Sequence, residues 1–136
     1  MIESRKESPL KPKLTAAEPQ LIVSDIAASL AFYTGKLGFE VAFTYGEPPF
    51  YAQVFRDGAK LNLRQLGVPA IDQQLREREH LLCASITLDS AEQLFLEFAA
   101  AGAAFHQPLE VAPWGARTFV VRDPDGNLIL FAGQDK

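Results

Sequence analysis

Four residues near the start of the chain, Asp25, Ala27, Leu30 and Gly38, recur as Asp89, Ala91, Leu94 and Gly102, each displaced by the 64 positions that separate Asp25 from Asp89. In both copies the Asp can cap a helix by accepting bonds from free backbone N–H groups, and the Gly suits a left-handed helix stop. A repeat of this length fits twice into 136 residues. One unit of a helix on a small sheet leaves an apolar face bare, so two units must pack together.

Each copy carries the same order of elements. In the first, Leu21-Ile22-Val23 reads as a buried strand. Ile26, Leu30, Tyr33 and Leu37 then fall at helical spacing and form a core face. Phe39 to Tyr45, Tyr51 to Phe55 and Lys60 to Arg64 follow as strands, with Asp57-Gly58 as the turn between the last two. In the second, Cys83 to Leu88 is a strand, and Asp89 with Glu92 forms a capping box. Ala91, Leu94, Phe98 and Ala101 give the next helix face. Ala104 to Val111, Thr118 to Val121 and Asn127 to Phe131 complete the set. Phe55-Arg56-Asp57-Gly58 is echoed by Val121-Arg122-Asp123-Pro124-Asp125-Gly126 with two residues inserted. The pattern predicts an α+β fold of two tandem β-α-β-β-β modules forming a curved mixed-sheet cup. Residues 1–13 read as a loose polar tail, 18–66 as module one, 67–80 as a solvated charged linker and 81–134 as module two, within a single domain over 14–136.

Bulk properties exclude some functions. A net charge of −4 lacks the basic face that nucleic-acid phosphates require. No window is long and apolar enough for a membrane span, and Met1 to Lys6 lead into no apolar signal run. One cysteine forbids an internal disulfide, which fits a reducing, cytoplasmic setting.

The stretch Pro113-Trp114-Gly115 followed by Arg122-Asp123-Pro124-Asp125-Gly126-Asn127 and Phe131 resembles the end of the vicinal-oxygen-chelate superfamily, which includes glyoxalases, dioxygenases and bleomycin-resistance proteins. The wording is most similar to the bleomycin-resistance branch. Leu14-Thr15-Ala16-Ala17, Phe32-Tyr33, Leu37-Gly38-Phe39 and Tyr51 to Asp57 extend the resemblance over nearly the whole domain.

The resemblance implies where a metal would sit. Enzymes of the superfamily place His or Glu ligands on the first and last strands of each half, and these positions fall here on Glu18, Asn62, Cys83 and Leu130. Leu130 has no donor atom, Asn62 is a weak neutral ligand, and a carboxylate with a thiolate makes a poor pair. Cys83 reads better as a small buried hydrophobe, and Glu18 as an exposed residue before a strand. The positions are therefore degenerate, and no metal or other cofactor is expected. His80 reads as a surface linker residue, and His106 has no evident partner. No nucleophile triad or phosphate loop stands in, and the turn explains Asp123 and Asp125, so no catalytic residue is assigned.

Without a metal, a curved sheet with aromatic lining is a binding site. Candidate wall residues are Trp114, Phe32, Tyr45, Tyr51, Arg64 and Phe119, with Tyr33 and Phe50 beside them. Arg64 and Arg117 would favour an anionic ligand. The resemblance implies a small-molecule binding protein that sequesters an aromatic ligand, such as a glycopeptide antibiotic, in a homodimer groove. In that family the amino-terminal strands are exchanged between chains, and the tail ending at Lys13 is long enough to allow it. The competing implication is a metal-dependent lyase, isomerase or dioxygenase of the glyoxalase type.

Overall fold

A computed structural model describes residues 11–134. The tail expected over residues 1–13 therefore lies outside the described residues, except for its last three. The chain runs β1 (Gln20–Val23), α1 (Ile26–Gly35), β2 (Glu40–Tyr45), β3 (Tyr51–Arg56), β4 (Ala59–Gln65), α2 (Gln73–Glu79), β5 (Leu82–Leu88), α3 (Ala91–Ala100), β6 (Ala104–Val111), β7 (Arg117–Arg122) and β8 (Leu128–Gly133). Two four-stranded sheets result, with strand orders β1-β4-β3-β2 and β5-β8-β7-β6. The orders are the same, and each sheet joins its first strand in parallel to its fourth. The repeat thus reappears as two β-α-β-β-β modules of an α+β fold. Among the described residues, no helix is long and apolar enough to cross a membrane.

The strand register sharpens the repeat. Val54 pairs with Leu61 in module one, and Val121 with Ile129 in module two. All four side chains are buried in the core. Val121 therefore corresponds to Val54 rather than to Phe55, and Asn62 corresponds to Leu130. The caps differ as well. Asp25 accepts from the backbone N–H groups of Ala27 and Ala28 at 3.0 and 3.3 Å, as expected. In module two the N-cap is Ser90, which makes no side-chain cap bond. The helix thus starts one residue later than the repeat suggests.

Both modules share one apolar core. Leu21, Val23, Tyr33, Leu37, Ala52, Val54, Leu61 and Leu63 join Phe98, Phe119, Val121, Ile129 and Phe131 in a single cluster. Each sheet contributes one face, since successive strand residues point to opposite sides.

The Asp-Pro-Asp-Gly-Asn turn ties the halves together. Its Asp123 accepts from the backbone N–H groups of Asp125 and Asn127, each at 2.8 Å. Asn127 donates to the carbonyl of Ile22 on β1 at 3.0 Å and to Asp123 at 2.9 Å. Ser24 donates its N–H to Asp125 at 3.1 Å. The turn that marks the sequence is a clamp between modules.

The charged stretch before β5 is mostly exposed, yet it is anchored at two residues. It forms α2, capped by Asp72, and docks on module two. Arg76 is buried and donates to Asn127 at 3.0 Å, while Arg122 grips Glu77 through two bonds of 2.8 Å. A run of charges looks solvated in sequence until a distant strand supplies the opposite charge and a carbonyl acceptor.

Candidate ligand-binding site

The face of the first sheet that turns away from the core is aromatic and open. Ala52 and Val54 point into the core, so alternation turns Tyr51 and Gln53 outward. Register then places Tyr45, Tyr51, Arg64 and Ile22 in one row across the sheet, and Phe43, Gln53, Asn62 and Gln20 in the next. Phe43 stacks on Tyr51 with centroids 6.3 Å apart and planes inclined by 24°. Such diagonal contact across neighbouring strands is within reach of large rings. Tyr45 meets Phe50 edge to face at 5.6 Å, and the Arg64 guanidinium lies 5.6 Å from the centroid of Phe50. All of β2 is exposed, with Phe43 at 46% and Tyr45 at 67%. Exposed aromatic surface of this kind makes a candidate binding face.

The turn between β2 and β3 holds Phe50 in place. Its N–H donates to the carbonyl of Tyr45 at 3.0 Å, and its carbonyl accepts from Gln65 at 2.8 Å. Gly46 has φ +102°, and a side chain there would run into the Phe50 ring.

Of the residues expected on the wall, Tyr45, Tyr51 and Arg64 come together here, with Phe50 beside them. Phe43 belongs to the same group and is missed by the sequence reading, although its period-two spacing from Tyr45 carried the signal. Phe119 does not line this face. It is fully buried, stacked on Phe131 at 5.1 Å and flanked by Phe95, Phe98 and Phe105, because its position in β7 alternates toward the core. Phe32 sits on α1, on the core side of the sheet, and packs edge to face on Tyr33. Tyr33 is buried entirely and donates to Asp123 at 2.8 Å. Arg117 turns toward α3, where it pairs with Glu92 at 3.3 Å. Trp114 stands on the loop between β6 and β7, 74% exposed, and no ring contact joins it to Tyr45 or Tyr51 among the described residues of one chain.

The four metal positions inherited from the resemblance do not converge. Glu18 accepts from Gln53 at 3.0 Å, and the same amide donates to Asn62 at 2.9 Å. Lys60 lies 3.9 Å from the Glu18 carboxylate. On the other sheet, Leu130 pairs with Ser85, two residues along β5 from Cys83. Cys83 is turned toward Asn127, with its sulfur 3.4 Å from the amide oxygen. One pair lies on each sheet, and the donor set is a carboxylate already bound by an amide, a neutral amide, a thiol and an alkyl group. These residues do not fit a divalent metal. No group of three or more His, Cys, Asp or Glu residues among the described ones is arranged to hold one.

Two further features lie outside this face. The chain's two histidines meet, His80 Nδ1 to His106 Nε2 at 2.8 Å, and His106 Nδ1 lies 3.0 Å from Glu77. The partner that sequence did not reveal for His106 is thus α2 and its C-cap. Arg122, followed by His106, draws the Glu77 carboxyl down from its ordinary 4.5 to about 2. A cleft of about 570 Å³ opens between the β3–β4 turn and the free edge of β5, lined by Lys60, Ser85, Thr87, Asp89 and Glu97 among others. Its walls include a strand edge and the Arg56–Glu97 ion pair at 2.7 Å. The ordered ring cluster lies elsewhere, on the open face of the first sheet.

Comparison with known proteins agrees with this architecture. No curated protein sequence matches the chain. The bleomycin-binding protein from the bleomycin producer Streptomyces verticillus, solved with copper(II)-bleomycin, aligns at 26% identity and TM-score 0.70, over 90% of this chain and 98% of that one. A bleomycin-binding protein complexed with bleomycin aligns at 20% identity and TM-score 0.72, over 88% and 98%. TioX from Micromonospora sp. ML1 aligns at 22% identity and TM-score 0.71, over 89% and 99%. The last two share the fold. The profile of the glyoxalase/bleomycin resistance protein/dioxygenase superfamily matches residues 15–131, and the chain belongs to that superfamily.

Proposed function

We propose that the protein is a metal-independent small-molecule binder that sequesters a flat aromatic ligand on the open face of its first sheet. The observation that carries this reading is the group Phe43, Tyr45, Phe50 and Tyr51 with Arg64. These rings are ordered against one another, yet they stand outside the shared core. Flat rings gain most from stacking on aromatic faces already fixed in place. The reading includes a homodimer in which a second copy closes the groove, since a sheet face this exposed favours a cover. The relative solved with copper(II)-bleomycin makes a glycopeptide antibiotic the first ligand to try. The competing reading, a metal-dependent lyase, isomerase or dioxygenase, asks for a donor set that Leu130 and the occupied Glu18 do not provide.

Calorimetric titration with naphthamide, a neutral flat probe, and with copper(II)-bleomycin tests the reading in chelator-treated protein. Saturable binding of at least one ligand, weakened about ten-fold or more in Tyr51→Ala, is expected from the loss of one stacking ring. No saturable heat with either, or the same heat in the Tyr51 variant, would remove this face as the site. Sedimentation at micromolar protein reads the dimer directly.

A further inference from the structure

We infer that the ligand of the aromatic face carries an anionic group, such as a ring carboxylate, and that Arg64 is the residue that selects it. The inference rests on the binding function proposed above and names the chemical class of its ligand.

Arg64 lies in the middle of the face, opposite Tyr51 on one side and Ile22 on the other. Its Nε is buried without a hydrogen-bond partner, and among the described residues no carboxylate lies within ion-pair distance of it. Buried polar atoms are nearly always satisfied, so the missing internal acceptor leaves this guanidinium to pair outward, through its terminal N–H groups. The other charges of this face are accounted for. Lys60 faces Glu18, whose carboxylate is also held by Gln53. Glu40 pairs opposite Phe55, four residues along β3 from Tyr51, which is roughly 13 Å away at the usual strand rise. Glu47, on the turn that carries Phe50, makes no ion pair with Arg64, so the guanidinium stands beside the rings without an internal counter-ion. A guanidinium forms paired hydrogen bonds to planar carboxylates, and here it is set at the rim of a stack of rings. A flat ring bearing a carboxylate meets both features at once, whereas a cationic ligand meets a like charge.

The test compares naphthoate, naphthamide and naphthylmethylammonium by calorimetry, using the full-length protein with fold and melting checked by circular dichroism. The expected order is anion, then neutral probe, then cation, with naphthoate favoured over naphthamide by roughly ten- to hundred-fold, the range of a charge-assisted hydrogen bond. Arg64→Gln should bring that ratio close to one, and Arg64→Lys should leave an intermediate ratio, because charge stays and the paired geometry goes. Equal binding of naphthoate and naphthamide, tighter binding of the cation or of copper(II)-bleomycin, or an unchanged ratio in Arg64→Gln would overturn the inference while leaving the binding site in place. Failure of all these ligands to bind would overturn the site itself and this inference with it.

Discussion

The hydroxyl of Tyr33 donates to the carboxylate of Asp123 at 2.8 Å, across 90 positions of sequence. One residue belongs to the helix of module one and the other to the hairpin turn of module two. Burial raises the pKa of Asp123, and the donors Asn127 and Tyr33 pull it back down. Burial, then the neighbouring Asp123 charge, raises the Tyr33 phenol well above its usual value. The phenol is thus a firm donor, and the carboxylate depends on it.

Tyr33→Phe should destabilise the protein by about 1–3 kcal/mol, the cost of leaving a buried acceptor short of a donor. The deficit should depend on pH. A carboxyl whose folded pKa is raised contributes its full stability at low pH and loses it as pH rises through that pKa. Removing a donor raises the Asp123 pKa further, so the variant should be most impaired at neutral pH and closest to the parent under acidic conditions. Urea unfolding at several pH values measures this. A deficit independent of pH would show that Asp123 does not rely on the phenol.

Glu77 gives the opposite sign. Its pKa falls from 4.5 to about 2 beside Arg122 and His106. A depressed carboxyl contributes stability above its unfolded pKa and loses it as pH drops through the folded one. The melting temperature of the parent should therefore decline between pH 4.5 and about 2 partly through this residue. Glu77→Gln should melt lower than the parent at neutral pH and lose less across that window. Equal acid sensitivity in both would contradict the docking of α2 through this ion pair.

Gly46→Ala probes the turn under the ring cluster. The substitution combines φ +102° with a collision against Phe50, and should cost about 1–2 kcal/mol. It should also displace Phe50 from Tyr45 and Arg64, so naphthamide binding should weaken together with stability. A variant that loses stability but binds as well as the parent would place Phe50 outside the site.

Much of the architecture was legible because its signals are local. The Asp25 cap, the Gly38 and Gly102 stops and the alternation in β3 follow from backbone needs that any fold must meet. The repeat conceals one change, since the second helix takes Ser90 as its N-cap, one residue beyond Asp89. Residue type alone singles out Tyr45, Tyr51 and Arg64, which the register brings onto one face, whereas it misplaces Phe119. Alternation tells which residues share a face, but not which face the core takes. Phe43 was missed because only the pairing of β2 with β3 shows it stacking on Tyr51. The Arg76-Glu77 stretch was misread for a similar reason, since its partners Asn127 and Arg122 lie far along the chain.

The most direct measurement of the binding face is amide chemical-shift mapping of isotope-labelled protein, titrated with naphthoate in the presence of chelator. The proposed face predicts saturable shifts clustered at Phe43, Tyr45, Phe50, Tyr51 and Arg64, unchanged by removal of metal. Shifts gathered instead around Lys60, Thr87 and Asp89 in the cleft beside β5, or binding that disappears with chelator, would contradict it.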